Sequence, residues 1–216
     1  AAVSEIYIQT KFFSSNQAWS LQVKNGSFSE ELPSPRQAGT VLTIKNLFHT
    51  TPARLKFLKS ARVEKSYCHK IILKQAMANP LVGFKFIVDN SEILNILPET
   101  KTNNLYFDRV TTIMGNSFTD EALKIKSSKL IKNQNFAKIF GYIGLPTLNK
   151  SNYNQQYLFI NSRSIQDRKL SGAIRAAYRD SLPKGRFPVF SLFIDVPNDF
   201  LDVNVHPGKT EVRFQD

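Results

Sequence analysis

Cysteine is almost missing from this sequence: Cys68 is the only one in 216 residues. A single thiol cannot close an internal disulfide or supply a cysteine-based zinc cluster, so neither device is available to hold the fold. Long apolar runs are missing too, and no stretch approaches the roughly 20 residues that a membrane-spanning helix needs. Histidine is scarce. His49, His69 and His206 show no metal-ligand spacing, which favours a structural role for His206 over that of a base or metal ligand. Acidic residues are few, 17 Asp and Glu against 29 Lys and Arg, which leaves a formal net charge of +12.

What is present is enough apolar material for a core. The hydrophobic fraction is 42%, with 17 Phe, which excludes a disordered chain. The length accommodates one or two domains. The excess of positive charge points to a polyanionic partner such as nucleic acid, a nucleotide or an anionic membrane surface; the competing reading is solubility alone. The chain opens Ala1-Ala2-Val3-Ser4, without Met, straight into a strand-like stretch, and so reads as a piece that starts inside a larger protein.

Period-two alternation predicts strands over Glu5–Thr10 and Trp19–Val23, joined by a polar turn at Ser14, Ser15 and Asn16. Asn25-Gly26 is a turn signal. Leu32-Pro33-Ser34-Pro35 breaks the pattern, and Gly39–Ile44 forms a third strand. Residues 1–47 are thus mostly sheet, with too few elements to close a core alone. Thr51-Pro52 starts a helix, with Thr51 as its cap. A second helix runs from about Ala61 to Ala78 and ends at Asn79-Pro80. Strands at 84–88 and 92–97 flank a hairpin turn at Asp89-Asn90. A helix over Leu105–Met114 stops at Gly115, and strands follow at 136–143 and 156–161. Asp167 caps a helix that runs to about Ser181, a buried strand covers Val189–Ile194, and residues 200–214 contain a last extended piece. Strands and helices mix without strict alternation, which makes the fold class α+β. The expected architecture is a mixed sheet with helices on one face, divided near residue 47 into domains at 1–47 and 48–216.

Two segments hold nearly all of the excess charge. Residues 54–74 carry seven basic side chains and one acid, and residues 163–186 carry seven more against Asp167 and Asp180. In the second segment Arg168, Arg175 and Arg179 fall within roughly 40° of one another on a helical wheel. Leu170, Ile174, Ala177 and Tyr178 lie on a face turned away from them. A ridge of guanidinium groups suits phosphate oxygens, which they can grip bidentately. The competing reading is an ordinary solvated helix face. Arg163 and Lys184 belong to the same segment. No base-reading motif is visible, so the expected binding follows the DNA backbone and depends on salt.

Three motifs go beyond composition. They are Gly39-Thr40-Val41-Leu42-Thr43-Ile44 leading into Leu47-Phe48-His49-Thr50-Thr51-Pro52-Ala53-Arg54-Leu55-Lys56-Phe57-Leu58, then Gln156-Tyr157-Leu158-Phe159-Ile160-Asn161-Ser162-Arg163, then Asp202-Val203-Asn204-Val205-His206-Pro207-Gly208-Lys209-Thr210-Glu211-Val212-Arg213-Phe214. Together, and in this order along the whole chain, they resemble the MutL family of DNA mismatch repair proteins. Thr50 departs from the family's usual Asn and Ser162 from its usual Gly. Thr50 can still cap a helix, and Ser162 could alter the bend after its strand.

The resemblance implies the end of a GHKL-type ATPase domain followed by a transducer domain with a left-handed β-α-β crossover, a fold also seen in ribosomal proteins. By matching position, it implies that Thr40 helps bind adenine, that Lys209 reaches the ATP γ-phosphate, and that Arg168 binds DNA, with Arg175, Arg179, Arg163 and Lys184 beside it. It implies ATP and Mg2+ in the full-length protein and none bound to this piece, which lacks the family's catalytic Glu, metal-binding Asn and Asp-x-Gly-x-Gly motif. The implied partners are DNA, the mismatch-recognition protein MutS, a downstream nuclease or helicase and a second copy in a homodimer, with no membrane and a cytoplasmic, bacterial-type setting. The alternatives are the transducer of another GHKL ATPase, of the type II topoisomerase kind, and a ribosomal-type RNA-binding module.

Overall fold

The computed structural model describes residues 2–100, 103–131 and 136–201, with the backbone of 202, 213 and 214. By contact the chain divides into two units, Ala1–Glu64 and Lys65–Asp216.

The first unit contains β1 (Glu5–Lys11), β2 (Ala18–Lys24), β3 (Ser27–Phe28), β4 (Leu32–Ser34), β5 (Gly39–Lys45) and α1 (Pro52–Phe57). Its antiparallel sheet has the order β3-β2-β1-β5, with β4 also paired to β2. The Leu32-Pro33-Ser34 segment, expected only as a break, is this edge strand. Proline is tolerated there because an edge leaves one row of N–H groups unpaired, and Pro33 lies opposite Trp19. Among the described residues only Ala18 and Val23 are buried hydrophobics of this unit. The unit continues past residue 47 because the segment after β5 folds back on its start. The Phe48 amide donates to the Val3 carbonyl (2.6 Å), and Thr50 Oγ1 donates to Ala2 O (3.1 Å). Thr50 is therefore a tie rather than a cap. Thr51 precedes α1 but makes no side-chain capping bond, contrary to expectation.

The second unit includes most of α2 (Ala61–Ala78), then β6 (Phe84–Val88), β7 (Ser91–Ile96), α3 (Leu105–Met114), α4 (Asn116–Asp120), β8 (Ala122–Leu130), β9 (Phe136–Gly144), β10 (Asn149–Lys150), β11 (Gln156–Ile160), β12 (Arg163–Ser164), α5 (Arg168–Ala177), β13 (Phe187–Pro188), β14 (Phe190–Asp195), β15 (Leu201–Asp202) and β16 (Arg213–Phe214). Its main sheet has the order β12-β11-β14-β9-β8. All pairings in it are antiparallel except β11 with β14, which is parallel.

The expectation of helices on one face is corrected here, because this sheet is apolar on both faces. Phe159 and Phe193 point to the side covered by Met77 and Ala78 of α2, by Val110 of α3 and by Phe118 of α4. Their strand neighbours Leu158, Ile160 and Leu192 point the other way, where Leu170 and Ile174 of α5 cover them. Each face must be covered, since strands apolar at successive positions have no wet side. On the first face Phe140, Phe193 and Phe159 sit in register across β9, β14 and β11. Their rings stack nearly parallel, with centroids 5.3 Å and 4.8 Å apart.

Arg109 of α3 is fully buried. It donates to the carbonyls of Pro80 and Val82 and lies 3.3 Å from the Glu99 carboxylate. Burial pulls its guanidinium below the ordinary value, and Glu99 opposes that shift. This one arginine is thereby spent on structure.

Three two-residue hairpin turns, Asn25-Gly26, Asp89-Asn90 and Asn161-Ser162, have positive φ at both positions. This is the turn whose twist matches that of the strands. In the third, Ser162 stands at φ 61° with its hydroxyl 3.2 Å from the Tyr106 hydroxyl. The bend is kept despite the missing Gly. Asn161 also clasps the chain beyond β14: its Nδ2 donates to Val196 O (2.8 Å) and its Oδ1 accepts from Val196 N (2.9 Å).

Two substitutions test this account of the second unit. A Cβ at Gly141, in the middle of β9 at φ 134°, would lie 2.1 Å from the Ser191 carbonyl oxygen. Gly141→Ala is expected to destabilise by about 3 kcal/mol in chemical denaturation. Ser162→Val, which forces a β-branched residue into the left-handed region, is expected to cost about 1–2 kcal/mol. An unchanged denaturation midpoint in either variant contradicts the packing or the turn described.

Candidate functional site

The site begins with how α5 is held. Asp167 caps it, with Oδ1 accepting from the Leu170 amide at 2.8 Å. Leu170 and Ile174 pack on the sheet, which leaves Arg168 and Arg175 exposed on the outer side. Seven residues apart, these two differ by only about 20° around the axis.

The helix ends at Ala177, short of the expected Ser181. The reason is Tyr178. Its side chain turns inward, and its buried hydroxyl donates to Gly144 O at 2.6 Å. Burial holds that hydroxyl above its ordinary pKa, so it stays a donor. A Cβ at Gly144 would lie 2.8 Å from Val189 O, so a side chain there would push the end of β9 away from the Val189 backbone that its amide bonds. The chain then turns through amide bonds from Ser181 and Leu182 to Tyr178 O. Arg179 therefore stands on a turn rather than on the helical ridge.

This turn builds a shallow depression of about 340 Å3. Arg175, Arg179, Lys184 and Arg186 line it, with Gly172 and Tyr178 beneath. All four cations are exposed. Among the described residues, no carboxylate lies within ion-pair distance of any of them. Four exposed cations around one concavity suit an anion with several oxygens, as a phosphodiester backbone presents.

The predicted residues are only partly brought together. Arg175, Arg179 and Lys184 share the depression. Arg168 and Arg163 are exposed but do not line it. Arg186 was not among the predicted site residues, and its signal was its place two residues after Lys184 in the basic segment. Thr40, at the start of β5, is exposed and pairs across the sheet with Thr10, hydroxyl to hydroxyl at 2.8 Å. With Thr10, Phe12, Phe13 and Trp19, Thr40 lines a depression of about 510 Å3. Lys209 and His206 lie outside the described residues. His49 is bonded to Asn46 O (2.9 Å) and Asn25 Oδ1 (3.2 Å), and His69 stacks on Phe86. No group of His, Cys, Asp and Glu able to hold a metal is found among the described residues. Among the described residues no helix is long and apolar enough to cross a membrane.

The first basic segment behaves differently. Arg54, Lys56, Arg62 and Lys65 are exposed, whereas Lys70 donates to Asn154 Oδ1 at 3.1 Å. Lys74 is half-buried, and burial, aided by the nearby Lys70 charge, pulls its pKa down.

Comparison with known proteins agrees along the chain. The family model for the C-terminal domain of DNA mismatch repair proteins matches residues 110–216. Over its whole length the chain is 37% identical to the DNA mismatch repair protein MutL of Caulobacter vibrioides and 34% identical to that of Paramagnetospirillum magneticum. It covers 33% and 35% of those two proteins, so it spans about a third of the curated relatives it matches. Among solved structures, the N-terminal domain of a DNA repair protein is similar with a TM-score of 0.81 at 19% identity, over 99% of this chain and 67% of that one. The Aquifex aeolicus MutL ATPase domain complexed with ADP is similar with a TM-score of 0.67 at 20% identity, over 91% of this chain and 69% of that one. The B subunit of DNA gyrase from Myxococcus xanthus is similar with a TM-score of 0.54 at 11% identity, over 99% of this chain and 62% of that one. At such low identities these structures establish the fold alone, which gyrase shares. The sequence identity over the full length separates mismatch repair from the topoisomerase alternative: the chain belongs to the MutL family of DNA mismatch repair proteins.

Proposed function

We propose that this chain is the DNA-contacting, nucleotide-reporting part of an ATP-gated coordinator of mismatch repair. The observation that carries the reading is the depression lined by Arg175, Arg179, Lys184 and Arg186, with Arg168 exposed on the same helix. These groups contact phosphate oxygens, so binding is independent of base sequence and weakens with salt.

Residues 1–47 contribute the last strands of an ATPase sheet, and residues 48–216 act as the transducer. In the longer protein ATP and Mg2+ supply the driving reaction. To that nucleotide site this chain offers the Thr40 hydroxyl for the adenine and the Lys209 ammonium for the γ-phosphate. An ammonium at that position favours charge developing on the phosphoryl group and senses its loss. Through this coupling the longer protein closes as a homodimer on DNA in the cytoplasm, and passes the signal from MutS to a nuclease or helicase.

Fluorescence anisotropy of a labelled duplex with the 216-residue chain tests the DNA reading. The affinity is expected to fall with salt along a log–log slope of about −4 to −5, as for five phosphate contacts. Salt-independent binding contradicts the reading. Arg168→Glu is expected to weaken binding about tenfold and to flatten the slope; an unchanged affinity removes that helix from the interface. In the full-length protein Lys209→Ala is expected to lower ATP turnover, and unaltered kinetics would exclude Lys209 from the nucleotide site.

A further inference from the structure

Two of the four cations in the depression do not reach it as free side chains. Arg186 Nε donates to Asn149 Oδ1 at 2.5 Å, and its Nη2 donates to Asn149 O at 3.4 Å. Asn149 is itself oriented. Its Nδ2 donates to the carbonyls of Pro146 (2.8 Å) and Thr147 (3.3 Å), so its amide oxygen is the end left for the arginine. The guanidinium carbon of Arg175 lies 5.3 Å from the centroid of the Phe187 ring, within cation–π range. Tyr153 abuts that ring edge-on at 6.0 Å.

Asn149 and Phe187 come from one feature. They belong to β10 and β13, which pair antiparallel with Asn149 opposite Pro188 and Lys150 opposite Phe187. This two-stranded ribbon is anchored to the main sheet: Gln156 Nε2 donates to Pro188 O at 3.0 Å, and Pro188 is buried.

We infer that the β10/β13 ribbon is a positioning device for the phosphate-binding arginines. Asn149 holds Arg186 and Phe187 holds Arg175, each in the pose it keeps when DNA is bound. Neither Asn149 nor Phe187 is charged, and neither adds a phosphate contact. Their effect is to remove the rotamer freedom that a long arginine side chain would otherwise lose on binding. Fixed guanidinium planes also present their forked N–H groups at a set spacing, which loose ammonium groups cannot do. The inference rests on the DNA-binding reading above.

The two claims separate in one titration series on the 216-residue chain, with a labelled duplex measured over a range of salt and the melting temperature of each variant recorded. Arg186→Ala removes a phosphate contact and is expected to reduce the magnitude of the log–log salt slope by about one. Asn149→Ala and Phe187→Leu are each expected to weaken binding about fivefold to tenfold at fixed salt, with the slope of the unaltered chain, because the number of charges at the interface is unchanged. Phe187→Tyr keeps the aromatic face and is expected to restore the affinity that Phe187→Leu loses.

A merely structural role would lower the melting temperature and leave the affinity of the folded protein alone. The inference is therefore overturned if Asn149→Ala and Phe187→Leu bind like the unaltered chain while Arg186→Ala does not. If the unaltered chain shows no salt-dependent binding, the DNA reading fails and the inference fails with it.

Discussion

Two strands that run the same way cannot be joined by a tight turn. The chain from β11 to β14 must therefore cross a face of the sheet, and it does so through α5. The rest of the second unit depends on that constraint. This sheet is apolar on both sides, and α5 covers one of them with Leu170 and Ile174 against Leu158, Ile160 and Leu192. Once that face is committed, the opposite side of the helix has nowhere to go but water. The basic residues there are displayed as a consequence of packing.

The return from α5 to β14 then shapes the concavity. Tyr178 ends the helix by turning inward to Gly144, and the chain that follows swings round so that Arg179, Lys184 and Arg186 face Arg175. Four cations close together repel one another, which costs stability that the folded sheet must supply. An anion bound in the concavity would relieve that repulsion. Arg109 shows the opposite use of the same side chain. Buried on α3 between two carbonyls and Glu99, it contributes to the core and nothing to the surface.

Elements with strong local signals were legible in the sequence. The bounds of α2 and α3 coincide with their predicted bounds because Asn79-Pro80 and Gly115 stop them clearly. The turns at Asn25-Gly26 and Asp89-Asn90 were equally clear. β8 was not legible, since the alternation of Leu123-Lys124-Ile125-Lys126 is lost in the polar run Ser127-Ser128-Lys129; its lysines suit an edge strand that must resist further pairing. The turn at Asn161-Ser162 was legible only as a bend after the strand, because a serine stands where glycine would mark the positive φ. At the site, the charge segment and the capping Asp167 were visible. The early end of α5 was not, because it depends on a hydrogen bond from Tyr178 to a glycine 34 residues away in sequence. The ribbon that holds Arg175 and Arg186 was invisible for the same reason, as two-residue strands carry no periodicity of their own.

The central claim is that DNA phosphates sit against α5 and the turn that follows it. Amide hydrogen exchange of the 216-residue chain, with and without a short duplex at low salt, tests this most directly. The account predicts that slowing of exchange concentrates in residues 168–188. Slowing confined to residues 54–74, or none at saturating duplex, would contradict it.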